Sequence, residues 1–180
     1  QDRSSAASDV YKRQDTHNSG NGLDELDFPG QVIITPDAKL LVADSDNDRV
    51  LVWTNFPQTS GQTADYAIPI TNYVSMNNSW PWGVWSDGNK TIVTATVSGT
   101  ILIWNSFPSS NTPPDVVLTS KQIGTPRSIL SNGDYLMIGD ENANGECVGV
   151  NGNRSTHVFT SWPTESRDPD ACVDNWISGT

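Results

Sequence analysis

Residues 28–57 read FPGQVIITPDAKLLVADSDNDRVLVWTNFP, and this stretch decides the fold. It contains three apolar runs of four residues each, at 32–35, 40–43 and 50–53. The runs are rich in Val, Ile and Leu and lack polar alternation, which predicts strands that are covered on both faces. Because the segments between the runs are short and contain turn-forming residues, we expect antiparallel hairpins.

The same pattern recurs twice in weaker form. An aromatic-Pro pair ends each unit at spacings of 51 and 55 residues: Phe56-Pro57, Phe107-Pro108 and Trp162-Pro163. A second Pro pair opens each unit: Phe28-Pro29, Trp80-Pro81 and Thr125-Pro126. A fourth apolar segment follows each unit, at 64–68, 114–118 and 169–173. Four short strands repeated at a period of 45 to 55 residues are typical of a β-propeller.

The sequence therefore predicts an all-β fold made of four-stranded antiparallel sheets, the blades of a propeller. We expect one propeller unit at 28–174, with blades at about 28–70, 80–119 and 125–174. We expect residues 15–27 to form a linker and residues 175–180 a tail. Residues 1–14 match no unit and resemble a translated sequencing-adapter peptide; a disordered natural leader is the alternative.

The string PDAKLLVADSDNDRVLVW, residues 36–53, resembles an NHL repeat. Units of that family read roughly Pro-x-Gly-Val, Pro-Asp-Gly, Val-Ala-Asp and Asn-x-Arg-Val, and the resemblance covers residues 26–173. In the second unit Thr96 and Thr100 take the places of Asp44 and Arg49, while the third keeps Asp140 before an insertion. The resemblance implies an NHL-type propeller, whose rings usually hold about four to eight blades. We therefore expect a fragment whose remaining blades belong to a longer chain.

One position after the repeated Pro supplies the ligand-binding prediction. It holds Gly30, Trp82 and Arg127 in the three units. The resemblance implies that this position leads into the innermost strand, near one mouth of the central channel. Trp82 and Arg127 could together stack on and pair with a sugar or an acidic group, whereas the alternative is that Trp82 packs between blades. We expect Asp46 to lie away from this site.

The segment 44–48 alternates carboxylates as a calcium loop does, which makes Asp44, Asp46 and Asp48 the metal candidates. Arg49 and Asn55 occupy the places where such a loop carries its Gly and Glu. The favoured interpretation is a structural hairpin in which Asp44 and Arg49 pair or cap backbone groups. No cofactor is predicted, and calcium is the alternative.

The chain has two cysteines, Cys147 and Cys172, and both fall in the third unit. A disulfide between them would staple the inserted loop and would suit an extracellular or periplasmic protein. Two free thiols in a cytosolic chain are the alternative. The only histidines are His17 and His157, and we find no spacing that indicates a catalytic constellation, so no catalytic residue is predicted.

The formal net charge of -11, with ten Lys and Arg in total, argues against nucleic-acid binding. No apolar run approaches the length needed to span a membrane. Two function classes remain. The first is a binding or scaffold propeller for a protein or glycan partner. The second is part of a metal-dependent propeller enzyme, lactonase-like or lyase-like, whose other axial residues lie in missing blades.

Overall fold

The structure is a computed structural model that describes residues 20–147 and 154–173. The predicted leader at 1–14, the first part of the linker and the tail at 175–180 lie outside the described residues. The described chain folds into three four-stranded antiparallel sheets, each with its strands in chain order. The predicted all-β class and the four-stranded blades are thereby confirmed.

The twelve strands have the following bounds, sheet by sheet. The first sheet contains β1 (Pro29–Ile34), β2 (Leu40–Asp44), β3 (Arg49–Trp53) and β4 (Tyr66–Pro69). The second contains β5 (Pro81–Ser86), β6 (Thr91–Ala95), β7 (Thr100–Trp104) and β8 (Val116–Thr119). The third contains β9 (Pro126–Ser131), β10 (Leu136–Asp140), β11 (Ser155–Phe159) and β12 (Ala171–Val173). The helices of the described residues are two 3-10 turns, Ile70–Tyr73 and Gly145–Cys147, and neither has the length to cross a bilayer.

The innermost strand of each sheet begins at a proline. Proline has no backbone N–H, and the first residue of a strand is a position where the sheet can lack that hydrogen bond. The pairing of this residue defines equivalent positions in the three sheets: Pro29 opposite Asp44, Pro81 opposite Ala95, and Pro126 opposite Asp140. The counterpart of Asp44 is therefore Ala95, and the alignment of Asp44 with Thr96 was wrong by one residue. An irregularity in register follows the proline in each sheet.

The core lies between the stacked sheets. Leu41, Val50 and Ile68 of the first sheet are fully buried in one cluster with Leu102 and Trp104 of the second. A second cluster joins the second and third sheets, with these members among others: Ile92, Ile101, Ile103, Leu118, Leu136 and Phe159. The innermost strands β1, β5 and β9 run beside one another. The described sheets are thus stacked as propeller blades, and they do not close a ring.

The outer faces of the first and third sheets expose apolar side chains. Val32 and Ile34 of β1 are 59% and 58% exposed. Leu130 of β9 is 66% exposed, and it begins a cross-strand row that continues through Met137 of β10 and Val158 of β11. Part of the first face is covered, because Leu23 packs against the small cluster around Leu51.

Candidate functional site

Four side chains converge where the innermost strands begin, and we call Phe28, Trp80, Trp82 and Arg127 the aromatic cluster. The rings of Phe28 and Trp80 stack with centroids 5.6 Å apart and an interplanar angle of 12°. Trp82 meets Trp80 edge-on at 5.1 Å. The Arg127 Cζ lies 4.9 Å from the centroid of the Trp82 ring, within cation–π range. The structure therefore brings Trp82 and Arg127 together.

The backbone at Phe28 and Trp80 adopts an uncommon conformation that directs both rings to the same place. Their φ angles are +51° and +48°, a region that bulky residues seldom adopt and that costs about 1–3 kcal/mol. The Asp48 carboxylate supports this conformation, since its Oδ1 accepts the backbone N–H of Trp80 at 2.7 Å and that of Ser79 at 2.8 Å. Backbone strain of this kind is concentrated at functional sites.

Gly30, the third predicted ligand residue, lies behind the aromatic cluster. A Cβ atom at Gly30 would lie 2.7 Å from the carbonyl oxygen of Trp82 and 3.1 Å from its Cα. Both atoms belong to backbone that cannot give way cheaply. Gly30 thus lets β1 approach β5, and it places the Phe28 ring beside Trp82 rather than offering a side chain of its own.

Arg127 also has a charged partner. Its Nη2 lies 2.5 Å from Oε2 of Glu141, and the second oxygen of Glu141 lies 3.9 Å from Nη2 of Arg154. The buried Nε of Arg127 has no hydrogen-bond partner among the described residues. A cleft of about 300 Å³ lies beside the aromatic cluster. Its lining includes Arg127, Glu141, Arg154 and Asp140. A ligand at this cleft therefore meets charges of both signs, from Arg127 and Arg154 on one hand and from Glu141 and Asp140 on the other.

The three hairpin carboxylates have separate partners. Asp44 is fully buried and accepts a hydrogen bond from Nε of Arg49 at 2.7 Å, which confirms their predicted pairing. Asp48 binds the backbone before β5, as described above. Asp46 is exposed, and its Oδ1 accepts the indole N–H of Trp80 at 2.5 Å. Asp46 therefore contacts the aromatic cluster through Trp80, and its absence from a ligand site at Trp82 and Arg127 stays a prediction.

A second group of polar side chains lies in and beside the third sheet, and we call Gln122, Asp140, Cys147, His157 and Cys172 the cysteine cluster; Asp140, Cys147 and His157 are buried. Cys147 and Cys172 form a disulfide with their Cα atoms 5.5 Å apart. Nδ1 of His157 lies 3.7 Å from Sγ of Cys172, and Nε2 lies 2.9 Å from Oδ2 of Asp140. Oε1 of Gln122 lies 2.8 Å from Sγ of Cys147.

Asp140 is held as an acceptor by several donors. Burial by itself would raise the pKa of its carboxyl group. Hydrogen bonds from His157 and from the backbone N–H groups of Gly124, Thr125 and Asn142 outweigh burial and lower the pKa below its ordinary value. The distances from the three backbone nitrogens to the Asp140 oxygens are 2.7, 2.9 and 2.9 Å.

The sequence contained a signal for this cluster that was missed. His157 is fully buried and occupies the third position of β11, where β3 has Leu51 and β7 has Leu102. A histidine at a core position that is leucine in the other two units needs polar partners when it is buried. Aligning the third strands of the three units would have found it.

No protein-family model matches the chain, and no curated protein matches it. The blade-like fold is shown by the sheets themselves, whereas the NHL resemblance is carried by the motif at residues 36–53.

Proposed function

We propose that the chain is a binding module built from NHL-type propeller blades, with the aromatic cluster as its contact surface. The observation that carries this proposal is the pair of rings at Phe28 and Trp80, both held at positive φ in equivalent positions. Phe28 is 53% exposed although it stacks on Trp80. Exposed aromatic groups that are rimmed by polar and charged side chains are typical of ligand-binding surfaces.

A glycan is the ligand class that fits this surface best. Sugar rings present flat C–H faces that stack on aromatic side chains, and hydroxyl groups that bond to charged rims. Trp82 offers the aromatic face, while Arg127 and Glu141 offer donors and acceptors beside it. Because the charge of Arg127 is already matched by Glu141, we propose a neutral glycan before a polyanion. A protein partner is the alternative that the experiment must distinguish.

Binding to a panel of neutral and acidic polysaccharides, measured by affinity electrophoresis, tests the proposal. Trp82→Ala is expected to weaken binding at least about 30-fold, as for a central contact residue worth about 2 kcal/mol, with little change in melting temperature. Tyr135→Ala is the control, because Tyr135 is an exposed aromatic residue, at 54%, that lies away from the cluster in the turn between β9 and β10. A large fall in melting temperature for Trp82→Ala would identify Trp82 as a packing residue. Unchanged glycan binding would contradict the proposed surface.

We also propose that the protein is exported and that further blades are its structural partners. The disulfide between Cys147 and Cys172 supports an oxidising compartment. The exposed Val32, Ile34 and Leu130 on the outer sheet faces support further blades, because contiguous apolar surface of this kind marks an interaction face. Expressed alone, the chain is expected to associate or to bind a hydrophobic dye. A sedimenting monomer with a sharp cooperative melt would contradict this.

A further inference from the structure

We propose that Cys147, Cys172 and His157 form a Zn²⁺ site when their disulfide is reduced. The two sulfur atoms and a ring nitrogen of His157 all lie within 4.8 Å of one another. Zinc binds Cys thiolates at about 2.3 Å and His nitrogens at about 2.0–2.1 Å in tetrahedral geometry, so ligand atoms around one ion are separated by less than this span. The site is distinct from the aromatic cluster and does not rest on the proposed binding function.

The fold fixes the ligands from three segments. His157 on β11 lies directly opposite Cys172 on β12 in the antiparallel pairing. Cys147 comes from the 3-10 turn Gly145–Cys147 and is 1% exposed. Oε1 of Gln122 lies 2.8 Å from one sulfur and 3.7 Å from the other, where it or a water can complete the tetrahedron. Two thiolates and one imidazole with a fourth oxygen ligand are an established zinc donor set.

Asp140 orients the imidazole for this role. Its carboxylate already accepts N–H groups from the backbone of Gly124, Thr125 and Asn142, and three such donors favour the ionised form. The remaining contact, from Nε2 of His157, must then carry a proton toward the carboxylate. The lone pair of Nδ1 is left on the side of the sulfurs. A carboxylate behind a histidine is the usual outer partner of a zinc ligand.

The fold alone does not require a histidine here. The equivalent positions in the first and second sheets are Leu51 and Leu102, both fully buried. The residues opposite them are Ala67 and Val117, where the third sheet has Cys172. The third sheet thus has two metal-ligating residues at a pair of facing positions that is apolar in the first and second sheets. A disulfide that merely stapled the loop would not need the imidazole beside it.

Metal binding and the disulfide exclude each other chemically. A dithiol reductant transfers two electrons and two protons to the sulfur–sulfur bond and becomes a disulfide itself. Zn²⁺ then displaces both thiol protons and bonds to the two thiolates. A disulfide oxidant takes two electrons from the thiolates and two protons from solvent and becomes a dithiol, which restores the protein disulfide and releases the ion. The site therefore holds zinc in the reduced protein and none in the oxidised protein.

Zinc content and Co²⁺ absorption of the full chain test the proposal. After reduction and removal of the reductant, we expect one tightly bound Zn²⁺ per chain, and none in the oxidised chain. Co²⁺ in its place should show thiolate charge-transfer and tetrahedral d–d absorption. His157→Leu, which copies the other two sheets, should abolish both signals, as should Cys147→Ser. His17→Leu, at the only other histidine, is the matched control and should bind as the unaltered chain does.

Asp140→Asn separates positioning from ligation. It is expected to keep one zinc per chain but to weaken affinity about 10- to 100-fold. Absence of zinc from the reduced chain, or undiminished binding by His157→Leu, would overturn the site. If reduction alone unfolds the protein, added Zn²⁺ must restore its far-ultraviolet circular dichroism, and failure to do so would also overturn it.

Discussion

Asp44 and Asp140 end the second strands of the first and third sheets, and both are buried. Each accepts a backbone N–H from the segment that leads into its innermost strand. Their second partners differ, because Asp44 pairs with the guanidinium of Arg49 and Asp140 with the imidazole of His157. The same position in a repeated fold therefore binds the backbone before the innermost strand in both cases, while its second partner, a guanidinium or an imidazole, decides what else the position does.

In the first sheet Arg49 also binds the segment that precedes β1, and we call this set of contacts the Arg49 clamp. Arg49 donates to the backbone carbonyl groups of Asn21, Gly22 and Glu25, at 2.5, 2.8 and 3.0 Å. These bonds tie residues 20–27 across the outer face of the sheet, where Leu23 packs. In the third sheet the imidazole instead faces two sulfur atoms. The first site is built from groups that only hold structure, and the second contains groups that can change their redox state or bind a metal.

The largest expected effect is on the clamp. Asp44→Ala would leave the Arg49 charge buried without its carboxylate, and Arg49 is only 8% exposed. Removal of one partner of a buried pair costs about 3–5 kcal/mol of unfolding free energy. Urea denaturation measures the loss, with the exposed Asp134→Ala as a control expected to stay within about 0.5 kcal/mol. A loss below about 1 kcal/mol for Asp44→Ala would show that the clamp does not stabilise the sheet.

The disulfide is expected to matter somewhat less. It closes a loop across a sequence separation of 25 residues, and its loss should cost about 2–4 kcal/mol, measured with a chelator present. Alkylation with and without reductant, read by mass spectrometry, reports whether the bond forms in exported protein. Two freely labelled thiols in the exported protein would refute the disulfide. The third sheet would then have no covalent link in the place where the first sheet has the Arg49 clamp.

The repeated features of the fold were readable from sequence. Apolar runs separated by turn residues gave the strands, because a propeller blade buries both faces and leaves little polar alternation. The alignment of the three units also placed Trp82 beside Arg127. The equivalence of single positions was less accurate: Thr96 was aligned with Asp44, although the spacing of 51 residues between the first two aromatic-Pro pairs leads from Asp44 to Ala95, as the sheet has it.

The missed features depend on contacts between distant residues. His157 looks like the polar start of an apolar run until β12 places Cys172 opposite it. The stacked rings of Phe28 and Trp80 require positive φ at residues that precede proline, where extended backbone is the ordinary expectation. An unusual backbone angle cannot be deduced from a local pattern, and His157 stands out only when the third strands of the three units are aligned.

His157→Leu sharpens the comparison between the two sheets. In the oxidised chain we expect a change in unfolding free energy of less than about 1.5 kcal/mol, because leucine fills the same position in the other sheets. Asp140 would keep its three backbone donors. Thermal and urea denaturation measure the unfolding free energy of His157→Leu, which is compared with that of Asp44→Ala. A loss as large as that of Asp44→Ala would mean that the imidazole is as structural as the guanidinium.

The smallest expected effect concerns a second pair of equivalent carboxylates, Asp65 and Asp170, which precede the fourth strands. Asp65 accepts the hydroxyl and the backbone N–H of Thr54, and these bonds lower its pKa. Asp170 accepts a hydrogen bond from Arg167 in addition to both groups of Thr160, which lowers its pKa to about 2. At this pair of positions the third sheet has a cation, Arg167, where the first has none.

Carboxyl NMR titration of the folded chain tests this difference. Arg167→Ala should raise the pKa of Asp170 but keep it below the ordinary 3.8, because the two bonds from Thr160 remain, while Asp65 should not change. Since the folded pKa is depressed, the stabilising contribution is complete above the unfolded value of about 3.9. It is lost as pH falls through about 2. An Asp170 that titrates near 3.8, or that ignores Arg167→Ala, would show that this ion pair is screened by solvent, as exposed pairs often are.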